Sequence, residues 1–290
     1  MDEAAYTSLA PWYGAKRTLA PRIVEAIGDH RFYVEPFCGS MAVVLNKPVV
    51  RQELVNDMHG DLINLARVIR DEELSGRLYW RLNRTLTAEG VFVESRGVVR
   101  SAPAPTIDSP PSVDRAYHYF VASWQGVNGV AGCRESSNGY ARRYSSRGGA
   151  AATRFAGAVE SLPWWHQRLR HVEIYQGCGL TICERVEDRA GTVIYADPPY
   201  FEKGSEYKHD FAAADHERLA AALNRFRETK VVVSYYEHPE LARLYPGWTK
   251  LDATTTKGMV QAGKRNQAGR TDAPEVLLVN RTAIGKAVPA

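Results

Sequence analysis

The sequence predicts an α/β protein in which a doubly wound parallel sheet is interrupted by a mainly helical insertion. Residues 192–196 form a short apolar run, rich in β-branched and aromatic side chains, that is typical of a strand buried on both faces. Two further strands are predicted at residues 31–35 and 53–57, and each precedes a segment with helical spacing of apolar residues. This alternation stops near residue 71 and resumes near residue 170, so we expect an insertion between these points.

The N-terminal segment predicts a loop followed by a short helix. We expect a helix that has Thr18 as its N-cap and ends at Gly28. The loop just before it contains Trp12, Tyr13 and Lys16. An aromatic pair, a flexible glycine and a lysine ahead of a helix N-terminus can form a platform for an anion or a cofactor. A loop whose tryptophan packs on the core would contain the same residues, so both interpretations stay open.

A turn of small residues follows the first predicted strand and precedes a helix through Met41 and Leu45. Such a turn lets a cofactor approach the backbone N–H groups and the positive end of the helix. The G-x-G-x-x-G pattern of dinucleotide-binding proteins is absent from this segment. The turn consists of Pro36, Phe37, Cys38, Gly39 and Ser40.

The second predicted strand ends in an acidic residue. Asp57 lies 22 residues after Glu35. In nucleoside-binding α/β folds an acid at about this spacing accepts hydrogen bonds from ribose hydroxyls. Asp57 could instead be the N-terminal acid of the helix predicted at residues 60–69, so two roles are open.

The insertion is basic and contains few recognisable elements. A helix is predicted at residues 116–124, after a proline- and serine-rich loop at residues 101–112. From Arg77 to Arg170 there are thirteen arginines, no lysine and six acidic residues, a local balance of +7 in a chain of net charge +4. A basic patch confined to one region is typical of proteins that bind a phosphate backbone. A solvated charged surface is the alternative.

The sheet is expected to resume after the insertion. Its remaining predicted elements are strands at residues 170–175, 181–183 and 192–196, a helix at residues 215–226, and strands at residues 230–234 and 275–279. Two polar segments, residues 201–211 and the basic residues 257–270, are predicted to be loops.

Asp197, Pro198, Pro199 and Tyr200 follow the central strand at its carboxyl end, where open α/β sheets bind ligands. The two prolines restrict the backbone, which makes the turn rigid, and they have no N–H group. The turn therefore offers a row of hydrogen-bond acceptors, the Asp197 carboxylate and the proline carbonyls, that suits a primary amine. Tyr200 could lay its ring on a base that carries this amine. An ordinary Asp-Pro turn that closes a strand is the alternative.

The length and composition are those of an ordinary globular protein. The chain has 290 residues, 44% hydrophobic and 24% charged, enough for one large or two small domains. We expect a core domain formed by residues 1–71 and 171–290 and an inserted domain formed by residues 72–170. No apolar run approaches the roughly 20 residues that span a bilayer, and the acidic N-terminus is unlike a signal peptide. We therefore expect a cytoplasmic protein with no membrane partner. We also expect a monomer.

Cysteine spacing gives no sign of a metal site or a disulfide framework. The four cysteines lack a C-x-x-C pair and have no histidines nearby at ligand spacing. We therefore expect no bound metal and four free thiols, at Cys38, Cys133, Cys178 and Cys183.

Several of these motifs resemble one known family. The Asp-Pro-Pro-Tyr sequence of residues 197–200 resembles the catalytic motif of the amino-methyltransferases, which methylate adenine N6 or cytosine N4 in DNA with S-adenosylmethionine. The segment from Trp12 to Lys16 is similar to the Trp-x-Gly-Gly-Lys stretch of the Dam-like group (D12 class, alpha group), with Ala15 at the second glycine. Phe37 and Gly39 match the Phe-x-Gly-x-Gly loop of methyltransferases, and Met41 replaces its second glycine.

The pattern of residues 56–64 is also similar to the Dam-like group. The resemblance implies a Rossmann-like methyltransferase core, S-adenosylmethionine as cofactor and an inserted target-recognition domain for double-stranded DNA. It implies that the catalytic residues are Asp197, Pro198, Pro199 and Tyr200. It implies that the cofactor-binding residues are Trp12, Tyr13, Lys16, Pro36, Phe37, Cys38, Gly39, Ser40, Asp57 and Asp197.

Contacts with DNA are expected from the insertion and from the basic loop near the C-terminus. Residues 125–149 mix glycine, asparagine, tyrosine and arginine, which suits contact with a nucleic acid, and weakly resemble a stretch of Dam-like recognition domains. The segment at residues 201–211 could close over a flipped base, and any of these loops could instead be disordered. The candidate DNA-binding residues are Asn128, Arg142, Arg143, Lys257, Lys264 and Arg265.

Two alternatives to an adenine-N6 methyltransferase remain open. A cytosine-N4 methyltransferase could use the same acceptors for its amine, although that group more often has serine before Pro-Pro-Tyr. A DNA-binding protein that keeps a cofactor pocket without turnover is favoured by Ala15 and Met41, which depart from the glycine pattern. Adenine is preferred because Asp197 begins the motif.

Overall fold

A computed structural model of the protein describes residues 5–12, 14, 16–127, 139–142, 150–201, 211–256 and 272–280. Its centre is a seven-stranded sheet with the order β3-β2-β1-β4-β5-β9-β6. The strands are β1 Phe32–Glu35, β2 Gln52–Asp57, β3 Val172–Gln176, β4 Thr192–Ala196, β5 Lys230–Tyr236, β6 Thr249–Asp252 and β9 Glu275–Val279. Two short strands, β7 Thr255–Thr256 and β8 Asp272–Ala273, pair outside this sheet.

The strand order shows a doubly wound sheet. The chain runs outward from β1 to β2 and β3, then returns to place β4 beside β1 and β5 beside β4. These five strands are parallel, and β9 is inserted antiparallel between β5 and β6. The direction of winding therefore reverses between β1 and β4, which is where open α/β sheets bind ligands.

Helices cover both faces of the sheet. They are α1 Ala20–Ile27, α2 Ala42–Asn46, α3 Gly60–Arg70, α9 Gly179–Arg185, α10 Ala213–Asn224 and α11 Glu240–Leu244. Along β4, Val193 and Tyr195 pack into the cluster beneath α1 and α3, whereas Ile194 and Ala196 pack into the cluster beneath α9 and α10. All five residues of β4 are buried, which confirms the strand predicted to be buried on both faces.

The insertion is helical in its described part, as predicted. It contains α4 Glu72–Asn83, α5 Glu89–Ser101, α6 Val113–Gln125, α7 Ala151–Glu160 and α8 Leu162–Leu169. Phe120, Trp124 and Trp165 belong to the same hydrophobic cluster as β1 and β4, so these helices pack directly on the core. The predicted loop before α6 is present, and the backbone N–H and carbonyl of Ser112 both bond to the Asn64 side chain.

Two predictions about local structure are wrong. Thr18 does not cap α1, because the helix begins later, at Ala20, with Leu19 in the N-cap position and no side-chain cap. Residues 181–183 were expected to form a strand but lie within α9. The buried side chains of α9 are those of Leu180 and Cys183, whose spacing of three places them on one helical face, and the two residues between them are half-buried.

The C-terminal part of the sheet is longer than the sequence predicts. Strand β5 continues two residues beyond the expected end, to Tyr236, and β6 was not predicted at all. Strand β9 has its predicted bounds. In the part of the chain that the structure describes, no helix is both long and apolar enough to cross a membrane.

Candidate active site

A cavity of about 270 Å³ lies at the carboxyl ends of β1 to β4, where the winding of the sheet reverses. It is lined by ten of the predicted site residues, namely Trp12, Lys16, Pro36, Phe37, Cys38, Gly39, Ser40, Asp57, Asp197 and Pro199. Pro198 and Tyr200 adjoin this wall in the chain but are not among the lining residues. Tyr13 lies outside the described residues.

The turn after β1 is held in a compact shape by Gly39. This glycine has a φ of 44°, a conformation that residues with a side chain rarely adopt. A Cβ atom at this position would lie 3.0 Å from Nε1 of Trp12, so the indole ring packs directly on the glycine. The N–H of Gly39 donates to Oδ2 of Asp57 at 2.8 Å, which ties the turn after β1 to the end of β2.

Asp57 sits between the cavity and the start of α3. Its Oδ1 accepts a hydrogen bond from the N–H of His59 at 2.9 Å. The N-cap of α3 is His59 itself, whose Nδ1 accepts from the N–H of Leu62 at 3.3 Å. Asp57 therefore does not cap the helix, and its carboxylate lines the cavity.

Glu35 is a buried acid in the cavity wall at the end of β1. Its Oε2 accepts a hydrogen bond from the Tyr33 hydroxyl at 2.9 Å. The pKa of this carboxyl is raised to about 8, mainly because burial removes the hydration of the charged form, and the negative charge of Asp197 contributes to the same shift. Glu35 was not predicted as a site residue, although it ends a strand in the same way as Asp57 and stands directly before the small-residue turn.

Asp197 binds Lys16 through one oxygen and two hydroxyl groups through the other. Nζ of Lys16 lies 2.8 Å from Oδ2 of Asp197. Ser234, in β5, donates to Oδ1 at 2.7 Å, and the Tyr200 hydroxyl lies 3.2 Å from the same atom. The Ser234 hydroxyl is 3.0 Å from that of Tyr195, so a chain of hydroxyl groups supports the carboxylate from beneath. These contacts fix the orientation of Asp197 toward the cavity.

A second carboxylate, Glu275 at the start of β9, shares the partners of Asp197. Its Oε1 lies 3.2 Å from Nζ of Lys16 and 2.9 Å from the Tyr200 hydroxyl. One ammonium ion therefore serves two carboxylates, of which Glu275 is buried and Asp197 is half-buried. Burial alone lowers the pKa of Lys16, but Asp197 and Glu275 hold it above its usual range, so Lys16 stays charged at neutral pH.

The pKa of Asp197 also lies above its usual range. Burial is the main cause, and it outweighs the opposing effect of the Lys16 ammonium ion. The negative charge of Glu275 adds to the shift. A carboxylate in this environment is a stronger hydrogen-bond acceptor than one in water, because its charge is less screened.

Tyr200 is buried, with 6% of its surface exposed. Its ring lies 5.1 Å from Nζ of Lys16 and 4.6 Å from the ring of Tyr236, which it meets edge-on. The ring therefore faces protein side chains, and its predicted role as a stacking surface for a base remains a prediction.

Most of the predicted DNA contacts lie outside the described residues. These are Asn128, Arg143, Lys257, Lys264 and Arg265. Most of the loop predicted at residues 201–211, and Cys133, which was predicted to be a free thiol, also lie outside the described residues. Arg142 is described, and it forms an exposed ion pair with Glu89 at 2.5 Å. Its contact with DNA remains a prediction.

Sequence reasoning missed several residues of the cavity and its wall. They are Glu35, His59, Gly177, Cys178, Gly179, Leu180, Phe211, Asp215, Ser234 and Glu275. Cys178 and the other two described cysteines are free thiols. Among the described residues, no group of three or more His, Cys, Asp or Glu side chains is arranged to hold a metal ion.

Comparison with known proteins identifies the family. Two solved structures of the rRNA methyltransferase aviRa from Streptomyces viridochromogenes resemble the chain. One has a TM-score of 0.43 and 14% identity over 96% of this chain and 91% of that one. The other has a TM-score of 0.40 and 12% identity over 98% and 89%. No curated protein sequence matches. A family model covers residues 12–259, and the chain therefore belongs to the D12 class N6 adenine-specific DNA methyltransferases.

Proposed function

We propose that the protein is a site-specific methyltransferase of the Dam-like alpha group, which transfers a methyl group from S-adenosylmethionine to N6 of an adenine flipped out of duplex DNA. The observation that carries this proposal is that Asp197 lines the same cavity as the Gly39 turn and Asp57. An acceptor for an amine and a candidate pocket for a nucleoside cofactor therefore meet in one space.

The residues of the cavity fit S-adenosylmethionine. The cavity has a volume of about 270 Å³, which is near the lower end of the range for small-molecule sites. The Asp57 carboxylate is suited to the ribose hydroxyls, and Gly39, in the turn after β1, lines the cavity beside it. When bound, the cofactor supplies a methyl group on a positively charged sulfur.

Asp197 and the Pro198 carbonyl are the acceptors for the two hydrogens of the adenine amine in this proposal. Accepting both hydrogens makes the nitrogen more electron-rich as it gains positive charge. Holding both hydrogens would also direct the lone pair of N6 toward the methyl group that the bound cofactor would supply. The nitrogen then loses one proton, and the raised pKa of Asp197 suits that carboxylate to receive it.

The amine of an adenine lies inside the base stack of a duplex, so the base must leave the stack to reach Asp197. The basic insertion, residues 72–170, is the proposed target-recognition domain. Arginines bind the phosphate backbone there, and Tyr200 provides an aromatic face beside the acceptors once the base has entered.

The proposal is tested by the products formed on unmethylated DNA. The wild-type protein, incubated with S-adenosylmethionine and plasmid DNA, should give N6-methyladenine in nucleoside mass spectrometry. Asp197→Asn should give none while remaining folded, because Lys16 keeps Glu275 as an ionic partner, and Asp252→Asn, at an exposed position, should match the wild type. N4-methylcytosine would establish the cytosine alternative, and DNA binding without any methylated product would indicate a protein without turnover.

A further inference from the structure

Glu275 contacts the groups on which the proposed chemistry depends, although it lies 75 residues after Tyr200 in the chain. We propose that Glu275 is a positioning residue that draws the Lys16 ammonium ion away from Asp197 when the target amine binds. The proposal rests on the function proposed above, since it assumes that Asp197 accepts the amine. It assigns a role to a residue of β9, the antiparallel strand beside β5.

The ammonium ion of Lys16 obstructs the acceptor in the observed arrangement. Its three N–H groups are directed to Oδ2 of Asp197 at 2.8 Å, Oε1 of Glu275 at 3.2 Å and the carbonyl of Gly14 at 2.9 Å. The closest of these contacts is on Asp197. A cation at this distance neutralises the carboxylate and repels the positive charge that develops on the amine nitrogen during methyl transfer.

Glu275 gives Lys16 another partner at a short distance. Both carboxylates are largely buried, so a lysine that left Asp197 without a second partner would lose most of its ion-pair energy. Because Oε1 of Glu275 is already 3.2 Å from Nζ, a small movement of the side chain exchanges one ion pair for the other.

The Tyr200 hydroxyl can donate a hydrogen bond to whichever carboxylate Lys16 leaves. Its hydroxyl lies 2.9 Å from Glu275 and 3.2 Å from Asp197, but it has a single hydrogen and can donate to one carboxylate at a time. When Lys16 pairs with Asp197, Tyr200 can donate to Glu275. When Lys16 pairs with Glu275, Tyr200 can donate to Asp197. In both states each carboxylate accepts a hydrogen bond from Lys16 or Tyr200, so the network can switch without leaving either carboxylate without a donor.

The charge of Glu275 should therefore control the rate of methylation through Lys16. Glu275→Gln keeps the shape of the side chain but leaves Asp197 as the ionic partner of Lys16 in this network. In single-turnover assays we expect a methylation rate lower by roughly ten- to a hundredfold, the range for a lost hydrogen bond to a charged group. Affinity for S-adenosylmethionine should change by less than about threefold, the scatter expected of an uncoupled site.

A double-mutant cycle separates this role from a structural one. In a Lys16→Gln background, Glu275→Gln should change the rate by less than about threefold, because the residue through which it acts is gone. The proposal would be overturned if Glu275→Gln slowed methylation equally in the wild-type and Lys16→Gln backgrounds. It would also be overturned if the single variant Glu275→Gln methylated at the wild-type rate. Glu237→Gln is the matched control, because Glu237 also pairs with a lysine, Lys250, but is exposed and outside the network.

Two further measurements test the proposal if Glu275→Gln fails to fold or if the protein shows no methylation activity. Glu275→Asp keeps the charge, so it should methylate faster than Glu275→Gln, and equal rates would contradict the proposal. NMR titration of the Asp197 carboxyl should show a lower pKa in Glu275→Gln, because a neighbouring negative charge has been removed. An unchanged pKa of Asp197 would overturn the inference, and this measurement does not require methylation activity. If the wild-type protein methylated no DNA, that result would refute the proposed function separately. The other titratable groups that face Asp197 are Lys16, Glu35, Tyr195, Tyr200 and Tyr235.

Discussion

Glu35, a buried acid in the cavity wall, makes the stability of the folded protein depend on pH. Its carboxyl lies at the end of β1, accepts a hydrogen bond from Tyr33 and has a pKa of about 8. In the unfolded chain a glutamate loses its proton near 4.5. Between these two values the folded protein holds a proton that the unfolded chain has released, so the stability contributed by the neutral carboxyl is lost as pH rises.

The variant Glu35→Gln should remove this pH dependence, because the amide is neutral at every pH. We expect the unfolding free energy of Glu35→Gln, relative to the wild type, to rise between pH 5 and pH 8 in urea denaturation of the cofactor-free protein. Glu184→Gln is the control. The pKa of Glu184 is lowered by its hydrogen bond to Arg218, so its carboxylate is ionised in both states over this range. A constant difference for Glu35→Gln would show that Glu35 is already charged in the folded protein.

Met41 departs from the glycine pattern of the methyltransferase loop but keeps the backbone conformation of a glycine. It stands where the methyltransferase loop usually has its second glycine, and the structure places it in a left-handed conformation with a φ of 61°. The backbone therefore keeps the shape that glycine allows, at a strain of roughly 1–2 kcal/mol for a residue with a side chain. The Met41 side chain is fully buried in the core, which offsets that strain. The sequence shows the departure from the motif, but the compensating packing is visible only in the fold.

At the scale of elements, α9 supports the cavity from the side of β3. The helix begins at Gly179, which packs beneath the turn after β1. A Cβ atom on this glycine would lie 2.5 Å from Cε1 of Phe37 and 2.7 Å from the carbonyl of Pro36. A methyl group there would have to push the turn, because the carbonyl belongs to the backbone.

Gly179→Ala should therefore weaken cofactor binding without removing any group that contacts the cofactor directly in our proposal. We expect affinity for S-adenosylmethionine to fall on the order of tenfold in calorimetry, since overpacking a tight site costs about 1–3 kcal/mol. Gly76→Ala, in α4, is the control, because a Cβ atom there meets nothing within 4 Å. Unchanged affinity in Gly179→Ala would mean that the turn after β1 moves freely and is not held by α9.

The central elements were predictable because their signals are local. The apolar run of β4 and the rigid turn at Asp197 are each specified by consecutive residues. The residues 181–183 were misassigned because a short apolar segment fits a strand and a helix equally well. Glu275 could not be linked to Lys16 from the sequence, because the two meet only when β9 is inserted antiparallel beside β5. Long-range pairing of this kind leaves no periodic signal.

At the scale of the whole molecule, buried ion pairs join the insertion to the core. Arg115, in α6, binds Asp61 in α3, with Nε 2.6 Å from Oδ1, and it also donates to the carbonyls of Val98 and Val99. Arg168, in α8, binds Glu53 in β2. Removing one partner of a buried pair leaves an unpaired charge and typically costs about 3–5 kcal/mol. These arginines are therefore structural, and they reduce the number of charges in the insertion that are available to DNA.

Arg142 is exposed and so can contribute to a surface that binds DNA. It pairs with Glu89, which would compete with a phosphate for the guanidinium group. An exposed pair of this kind is worth only about 0.2–1 kcal/mol. A phosphate can therefore displace the glutamate at little cost, and the two residues should have opposite effects on DNA affinity.

Arg142→Gln should lower the affinity for every duplex, whatever its sequence, and should reduce the slope of log affinity against log salt by about 0.9, the value for one phosphate contact. Glu89→Gln should raise the affinity modestly, because it removes the carboxylate that competes with a phosphate for Arg142 and a negative charge from the proposed DNA-binding surface. Fluorescence anisotropy with a specific and a random duplex, over a series of salt concentrations, measures both effects. If Arg142→Gln weakened only the specific duplex and left the slope unchanged, Arg142 would be a reader of bases. If Glu89→Gln lowered the affinity, the ion pair would be holding Arg142 in place for DNA instead of competing with it.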